Sequence, residues 1–369
     1  DEAGLEEPSI VKFDEYTGGL LVGRLVSELA QQRHLALAPL REIDSRAHRL
    51  WPVRVSTQVL SPMAGQETAV APPRDTAQAI AGLMNDFSIE VTPRGATKIA
   101  QFQPLVGPGT RVYVTSLPGS DFNDTLAACK RLASEGLSPV PHFTARSIAS
   151  AQELRERIDR VVSEAGVKAV LALGGADREA AGEFEDSAAM LETGLFDRYG
   201  IKSIGISGHP EGSPDIERIF LREYGQRKIR YAELTGADMY MVTQFVFEAR
   251  PIIDWIERVR NEGNRLPLVV GVPGPASLKS LIGHATNCGV GPSIKFLTRQ
   301  ARNVHKLLML QTPDKLVRDL ADYASGHPQA GIRGVHMFTL GAFPATATWA
   351  ASLARGRFEL TESGLEVLP

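Results

Sequence analysis

The chain has 369 residues, 43% hydrophobic and 22% charged, a globular composition with enough apolar mass for a large core. Forty basic residues against 43 acidic ones give a net charge of −3, which offers no basic excess for a nucleic-acid backbone or an anionic membrane. Two cysteines, Cys129 and Cys288, are too few for a zinc knuckle or a disulfide framework, so a reducing cytoplasm is the expected setting. Apolar stretches are broken by Gly, Pro or charge well before the roughly 18 residues a membrane span needs. The start, DEAGLEEPS, is acidic where a signal peptide is basic and then apolar, and Asp1 in place of Met suggests a trimmed N-terminus. A soluble, unsecreted protein with no nucleic-acid or membrane partner is expected, with room for a homo-oligomer.

Residues 1 to about 85 are rich in Pro, Gln and Arg, with one strand-like run at Val53 to Leu60 and a Pro/Ala/Gly-rich stretch at Ser61 to Thr76. They read as an N-terminal extension and a linker, with residues 86–369 as the main folded domain. From residue 87 onward short β-branched runs alternate with longer amphipathic ones. Strands are expected at FSIEV, RVYVT, LSPVPHF, KAVLAL, KSIGIS, MYMVTQF, LPLVVGV and RGVHMF. Helical spacing fills Asp121 to Gly136, Ile148 to Gly166 and Ile216 to Gly236, each stopping at Gly as helix C-termini do. Eight βα units in this length fit an α/β fold of the (β/α)₈ TIM-barrel type, which takes about 250 residues.

Several chemistries lack their signatures. No G-x-G-x-x-G follows a strand and no G-x-x-x-x-G-K-[ST] occurs, so neither a Rossmann site nor a P-loop is signalled. H-E-x-x-H, paired C-x-x-C and G-x-S-x-G are missing too, and no metal site is expected.

A barrel collects its reactive groups at the C-terminal ends of its strands. In FSIEVT the alternation sets Phe87, Ile89 and Val91 on one face and Ser88, Glu90 and Thr92 on the other, so Glu90 points into the lumen or its mouth. The same logic selects Thr115, His142, Asp177, His209, Gln244 and His336. A satisfied structural role accounts for any one of these histidines as well as a functional one does. Several polar groups converging on one rim from different strands are harder to assign to structure alone.

These residues lie in segments that carry a resemblance. F-S-I-E-V-T-P-R, P-H-F-T-A, A-L-G-G-A-D, G-H-P-E-G-S-P, T-G-A-D-M-Y-M-V-T-Q-F-V-F-E, G-V-P-G-P-A-S and H-M-F-T-L run in the order and near the spacing of the methylenetetrahydrofolate reductases. The chain resembles that family over about residues 86 to 355. The resemblance implies a barrel holding FAD across its C-terminal face, where NADH or NADPH delivers hydride to the flavin. The flavin then passes it to 5,10-methylenetetrahydrofolate, giving 5-methyltetrahydrofolate.

By the same resemblance Glu90 is the acid that protonates the leaving nitrogen of the methylene bridge, a task suited to a carboxylic acid in a partly apolar mouth. Asp177 matches an aspartate near pterin and flavin, and Gln244 an amide reading the pterin edge. Thr115, His142, Gly175 and His209 fall on cofactor-contact segments, and Phe296 is placed as an aromatic face for the substrate. Departures cluster where the family holds the FAD pyrophosphate. The family's A-L-R-G-D reads Ala172-Leu173-Gly174-Gly175-Ala176-Asp177, with the arginine lost and one residue inserted. A tyrosine becomes His209, a histidine Ser213, and near a phosphate-contacting lysine stands Glu233, with Arg227, Lys228 and Arg230 close by. Each lost charge-assisted partner is worth roughly 1.5 to 3 kcal/mol.

Three rivals follow. Hydride could pass directly from nicotinamide to folate without flavin; the barrel could bind tetrahydrofolate without redox turnover, in support of methyl transfer; or it could be a Schiff-base lyase. The last needs a lysine at a strand end, and Lys98, Lys202 and Lys295 lie elsewhere.

Overall fold

Alternation between apolar and polar side chains dictates two faces for each short strand here, and closing eight such strands buries both faces at once. The computed structural model describes residues 75–368 apart from 178, 214–215, 217, 288–309 and 363. Within it the eight strands are β1 (Ser88–Val91), β2 (Arg111–Val114), β3 (Ser138–Thr144), β4 (Ala169–Leu173), β5 (Ser203–Gly208), β6 (Asp238–Thr243), β7 (Leu268–Pro273) and β8 (Ile332–Phe338). All pair in parallel in sequence order, and β8 returns to β1, closing the barrel. Each expected strand is present, and the fold is a (β/α)₈ TIM barrel.

Register fixes which side chains share the lumen. Ser88 pairs with His336 across the closing seam, and Glu90 pairs with Tyr113 on the other side. The outward residues Ile89, Val91, Val112, Val114, Val170, Ile204 and Val335 join the core between strands and helices. Inward, Tyr113, Val140, Leu171, Tyr240, Val242 and Val269 form a separate cluster that fills the barrel.

The helical shell follows from capping chemistry. The chain enters α1 (Thr76–Met84) through Asp75, whose carboxylate accepts from the Ala77 amide at 3.0 Å. The long helices that follow are α2 (Phe122–Ser134), α3 (Ala151–Ala165), α4 (Arg218–Thr235), α5 (Ala249–Asn261), α6 (Leu278–Asn287), α7 (Asp314–Gly326) and α8 (Phe343–Ala354). Asp121 starts α2 by accepting from Asn123, and Ser150 starts α3 by accepting from Glu153. Gly166 ends α3 at φ 61°, the left-handed turn that a Cβ disfavours.

The structure departs from the sequence expectation in one respect. Residues 76–84, assigned there to the extension, form α1, whose Ile80, Leu83 and Met84 are buried in the shell core beside α7 and α8. The expected strand at Val53 to Leu60, most of the linker, Cys288, Lys295 and Phe296 lie outside the described residues. Among the described residues no helix is long and apolar enough to cross a membrane.

Candidate active site

Glu90 sits one residue before the end of β1, facing inward as its parity requires, with 16% of its side chain exposed. Across the seam, β8 brings in His336, 1% exposed. His336 Nε2 stands 3.6 Å from Glu90 Oε2, and Nδ1 lies 2.9 Å from Ser88 Oγ. A carboxylate only accepts, so the imidazole tautomer that suits this pair has its proton on Nε2, with the Ser88 hydroxyl donating to Nδ1. The ring is held between Tyr113 (centroids 4.5 Å apart) and Phe338 (5.0 Å).

β2 and β3 supply unpaired groups at the same mouth. Four buried side-chain polar atoms have no partner among the described residues; two of them are Thr115 Oγ1 and His142 Nε2. Burial, and then the charge of His336, lower the His142 pKa to about 3, so its imidazole is neutral near pH 7. Buried polar atoms are ordinarily paired, and each orphan costs about 1–3 kcal/mol. Two such atoms lie on neighbouring strands at this end of the barrel.

Beyond β4 the chain turns through Gly174 and Gly175, the latter at φ 101°, where a side chain would be strained. Arg146, from the loop after β3, donates to the Asp177 carbonyl at 3.2 Å and the Glu185 carbonyl at 3.0 Å. It seats the loop through backbone oxygens, and Asp177 is half-buried at the rim.

After β5, burial and then the nearby Lys228 lower His209 to about 4. Lys228 comes from α4 and is 7% exposed. Burial pulls its pKa to about 8, against the upward pull of Asp186 and with a further downward push from Arg227. Arg227 is engaged by Asp186 at 3.0 Å and Glu192 at 2.6 Å. Lys228 makes no salt bridge among the described residues.

Gln244 follows β6. Its backbone N–H donates to the Gly208 carbonyl at 2.9 Å, and its side-chain Oε1 accepts from Phe245 N at 3.2 Å. Gly271 of β7 lets this end close: a Cβ there would run into the Thr243 carbonyl and lie 2.7 Å from the Phe338 ring. Among the described residues, a cavity of about 530 Å³ opens beside the same end of the barrel, between Phe247, Pro273, Leu281 and Lys315.

Glu90, Thr115, His142, Gly175, Asp177, His209 and Gln244 thus all lie at or just beyond the C-terminal ends of strands, while Phe296 is outside the described residues. Sequence reasoning selected His336 for its strand end without joining it to Glu90. It passed over Ser88, Tyr113 and Tyr240, whose inward parity was the available signal.

Fold and rim together define a (β/α)₈ barrel with its polar groups gathered at the C-terminal mouth. A profile of the methylenetetrahydrofolate reductase family matches residues 106–342, and the chain belongs to that family. Its barrel is similar to that of a Clostridium thermocellum protein that binds two copies of 5-methyl-5,6,7,8-tetrahydrofolic acid, at 11% identity and a TM-score of 0.50. That match covers 75% of this chain and 98% of the other. Yersinia pestis DHPS, solved with a pterine-sulfa conjugate, matches at 13% identity and a TM-score of 0.39, over 74% of this chain and 93% of its own.

Proposed function

We propose that the protein reduces 5,10-methylenetetrahydrofolate to 5-methyltetrahydrofolate at the C-terminal mouth of the barrel, with NADH or NADPH as hydride donor and FAD as carrier. Family membership supports the reaction class, and the observation that carries the site is the meeting of the Glu90–His336 pair with the two orphaned atoms, Thr115 Oγ1 and His142 Nε2. Bound FAD supplies a two-electron acceptor that takes hydride from nicotinamide and gives it to the folate.

The residues present fit such a group. A hydroxyl and a neutral imidazole, each capable of donating and accepting, suit the mixed polar edge of a flavin or pterin. Lys228, buried beside His209, is a cation that would hold a pyrophosphate. Glu90 places its proton on the leaving nitrogen as the methylene bridge opens to the iminium. Gln244 can present both a donor and an acceptor to the pterin edge, and an Asp177 carboxylate at the rim would tune the potential of a bound flavin.

A second reading, direct hydride transfer from nicotinamide to folate, is favoured by the engagement of Arg227 with Asp186 and Glu192, which occupies a guanidinium that a pyrophosphate would otherwise draw on. Absorption spectroscopy of the purified protein with flavin titration separates the two. The proposal expects a flavin spectrum or saturable FAD binding at micromolar concentration. NADH oxidation that depends on methylenetetrahydrofolate in a protein without flavin affinity would establish the second reading instead.

A further inference from the structure

Tyr113 stands beside Glu90 in the register of β1 and β2, and its ring meets both imidazoles of the mouth. The His336 ring lies 4.5 Å from it at a tilt of 60°, and the His142 ring 6.1 Å from it, edge on at 81°. The first belongs to the partner of Glu90, and the second carries the orphaned Nε2. The phenol is pinned at both ends. Its Cβ is held by β2, and its Oη lies 2.8 Å from Tyr240 Oη. Tyr240 comes from β6, four strands from β2 in either direction around the closed barrel, so the bond spans the lumen from wall to wall. Gly205 on β5 leaves room for it: a Cβ there would lie 3.2 Å from Tyr240 Cε2 and 2.8 Å from Leu171 Cδ1. Both tyrosines are fully buried, among Val140, Leu171, Val242 and Val269. Two phenylalanines would fill this plug without taking two hydroxyls out of water. What the hydroxyls add is direction, since a hydrogen bond fixes the far end of a ring that packing alone leaves free to slide.

We propose that the Tyr113–Tyr240 bond is a strut across the barrel that sets both imidazoles of the mouth, His336 against Glu90 and His142 toward bound ligand. Both tyrosines are then positioning residues for hydride transfer to the folate. The inference rests on the acid role proposed for Glu90. With the Tyr113 ring fixed on one side and Phe338 on the other, the His336 ring keeps the plane in which Nε2 meets Glu90 and Nδ1 meets Ser88. A ring that turns in this slot loses both contacts together, and Glu90 is then no longer held where its proton can reach the leaving nitrogen. Reduction of the cofactor by nicotinamide uses no acid at Glu90, so it does not depend on the strut.

Tyr113→Phe, Tyr240→Phe and the double variant test the strut, because they separate position from stability. Each single variant leaves one buried hydroxyl orphaned and should lower Tm, whereas the double variant orphans neither and should melt nearer the wild type. Hydride transfer from the reduced holoenzyme to 5,10-methylenetetrahydrofolate, followed over one turnover by rapid mixing, is expected to slow about tenfold in all three, with reduction by NADH at the wild-type rate. Ring-nitrogen NMR of ¹⁵N-histidine-labelled protein, with the His336 signals assigned through His336→Gln, needs neither folate nor cofactor. It should show one tautomer in the wild type and averaged Nδ1 and Nε2 signals in the three variants. A double variant that regains the wild-type transfer rate together with its stability, or His336 signals unchanged in all three variants, overturns the strut. Glu90→Gln is the reference. Transfer lost there while the double variant keeps the wild-type rate overturns the strut alone, and wild-type transfer by Glu90→Gln overturns the acid assignment, with the His336 signals then deciding the strut.

Discussion

His336 Nε2 faces Glu90 Oε2 at 3.6 Å across the seam where β8 closes onto β1, so the imidazole and the carboxylate share one wall of the lumen although 246 positions separate them in sequence. The contact exists only because the barrel closes. An imidazole with Nε2–H directed at one carboxyl oxygen leaves the other oxygen to carry the acid proton toward the mouth.

Acid should destabilise the fold through two histidines. His142 and His209, lowered to about 3 and about 4 in the folded state, return to about 6.5 on unfolding. Below pH 6.5 the unfolded chain therefore binds more protons, and stability falls as pH drops from 6.5 toward 4, by up to about 1.4 kcal/mol per pH unit for each group. Melting curves across that window should show a shallower decline in His142→Asn than in the wild type. Parallel declines in the two proteins would remove His142 from the account.

Gly271 is expected to tolerate no side chain. In Gly271→Ala the new methyl lies 2.9 Å from the Gln244 carbonyl carbon and 2.7 Å from the Phe338 ring, so the end of β6 or the ring beside His336 must move. The expected cost is about 1–3 kcal/mol in denaturant unfolding, together with weaker binding of tetrahydrofolate in calorimetric titration. Unchanged stability and unchanged binding would show that the rim yields freely.

Much of this was legible in the sequence, for identifiable reasons. The parity of FSIEVT oriented Glu90, and strand ends selected Thr115, His142 and Gln244, because period-two alternation is local information. The Tyr113–Tyr240 bond and the Glu90–His336 contact were not legible, since each joins strands whose adjacency or opposition appears only on closure. α1 was hidden because nine residues after a Pro/Ala-rich run give too few turns to show a period. Lys228 lies in the run Arg227-Lys228-Ile229-Arg230, which reads as a solvated basic face; its burial beside His209 is a tertiary fact.

Lys228 should weaken the empty protein and strengthen the loaded one. Its amine titrates near 8 in the fold against 10.5 outside it, so below pH 10.5 the unfolded chain is the better proton acceptor, and the fold carries a penalty that grows as pH falls toward 8. Lys228→Met is therefore expected to raise Tm without ligand while loosening FAD by about 10- to 100-fold in a fluorescence titration, the scale of one charge-assisted contact. A lowered Tm with unaltered FAD affinity would make the lysine structural.

The proton at Glu90 is the centre of this account, and stopped-flow absorbance of the two half-reactions tests it most directly. In Glu90→Gln, which keeps the shape and removes the proton, reduction of the cofactor by NADH or NADPH should proceed as in the wild type, while hydride transfer to 5,10-methylenetetrahydrofolate falls by about 10² to 10⁴-fold. Equal slowing of both half-reactions, or wild-type rates in both, would contradict it.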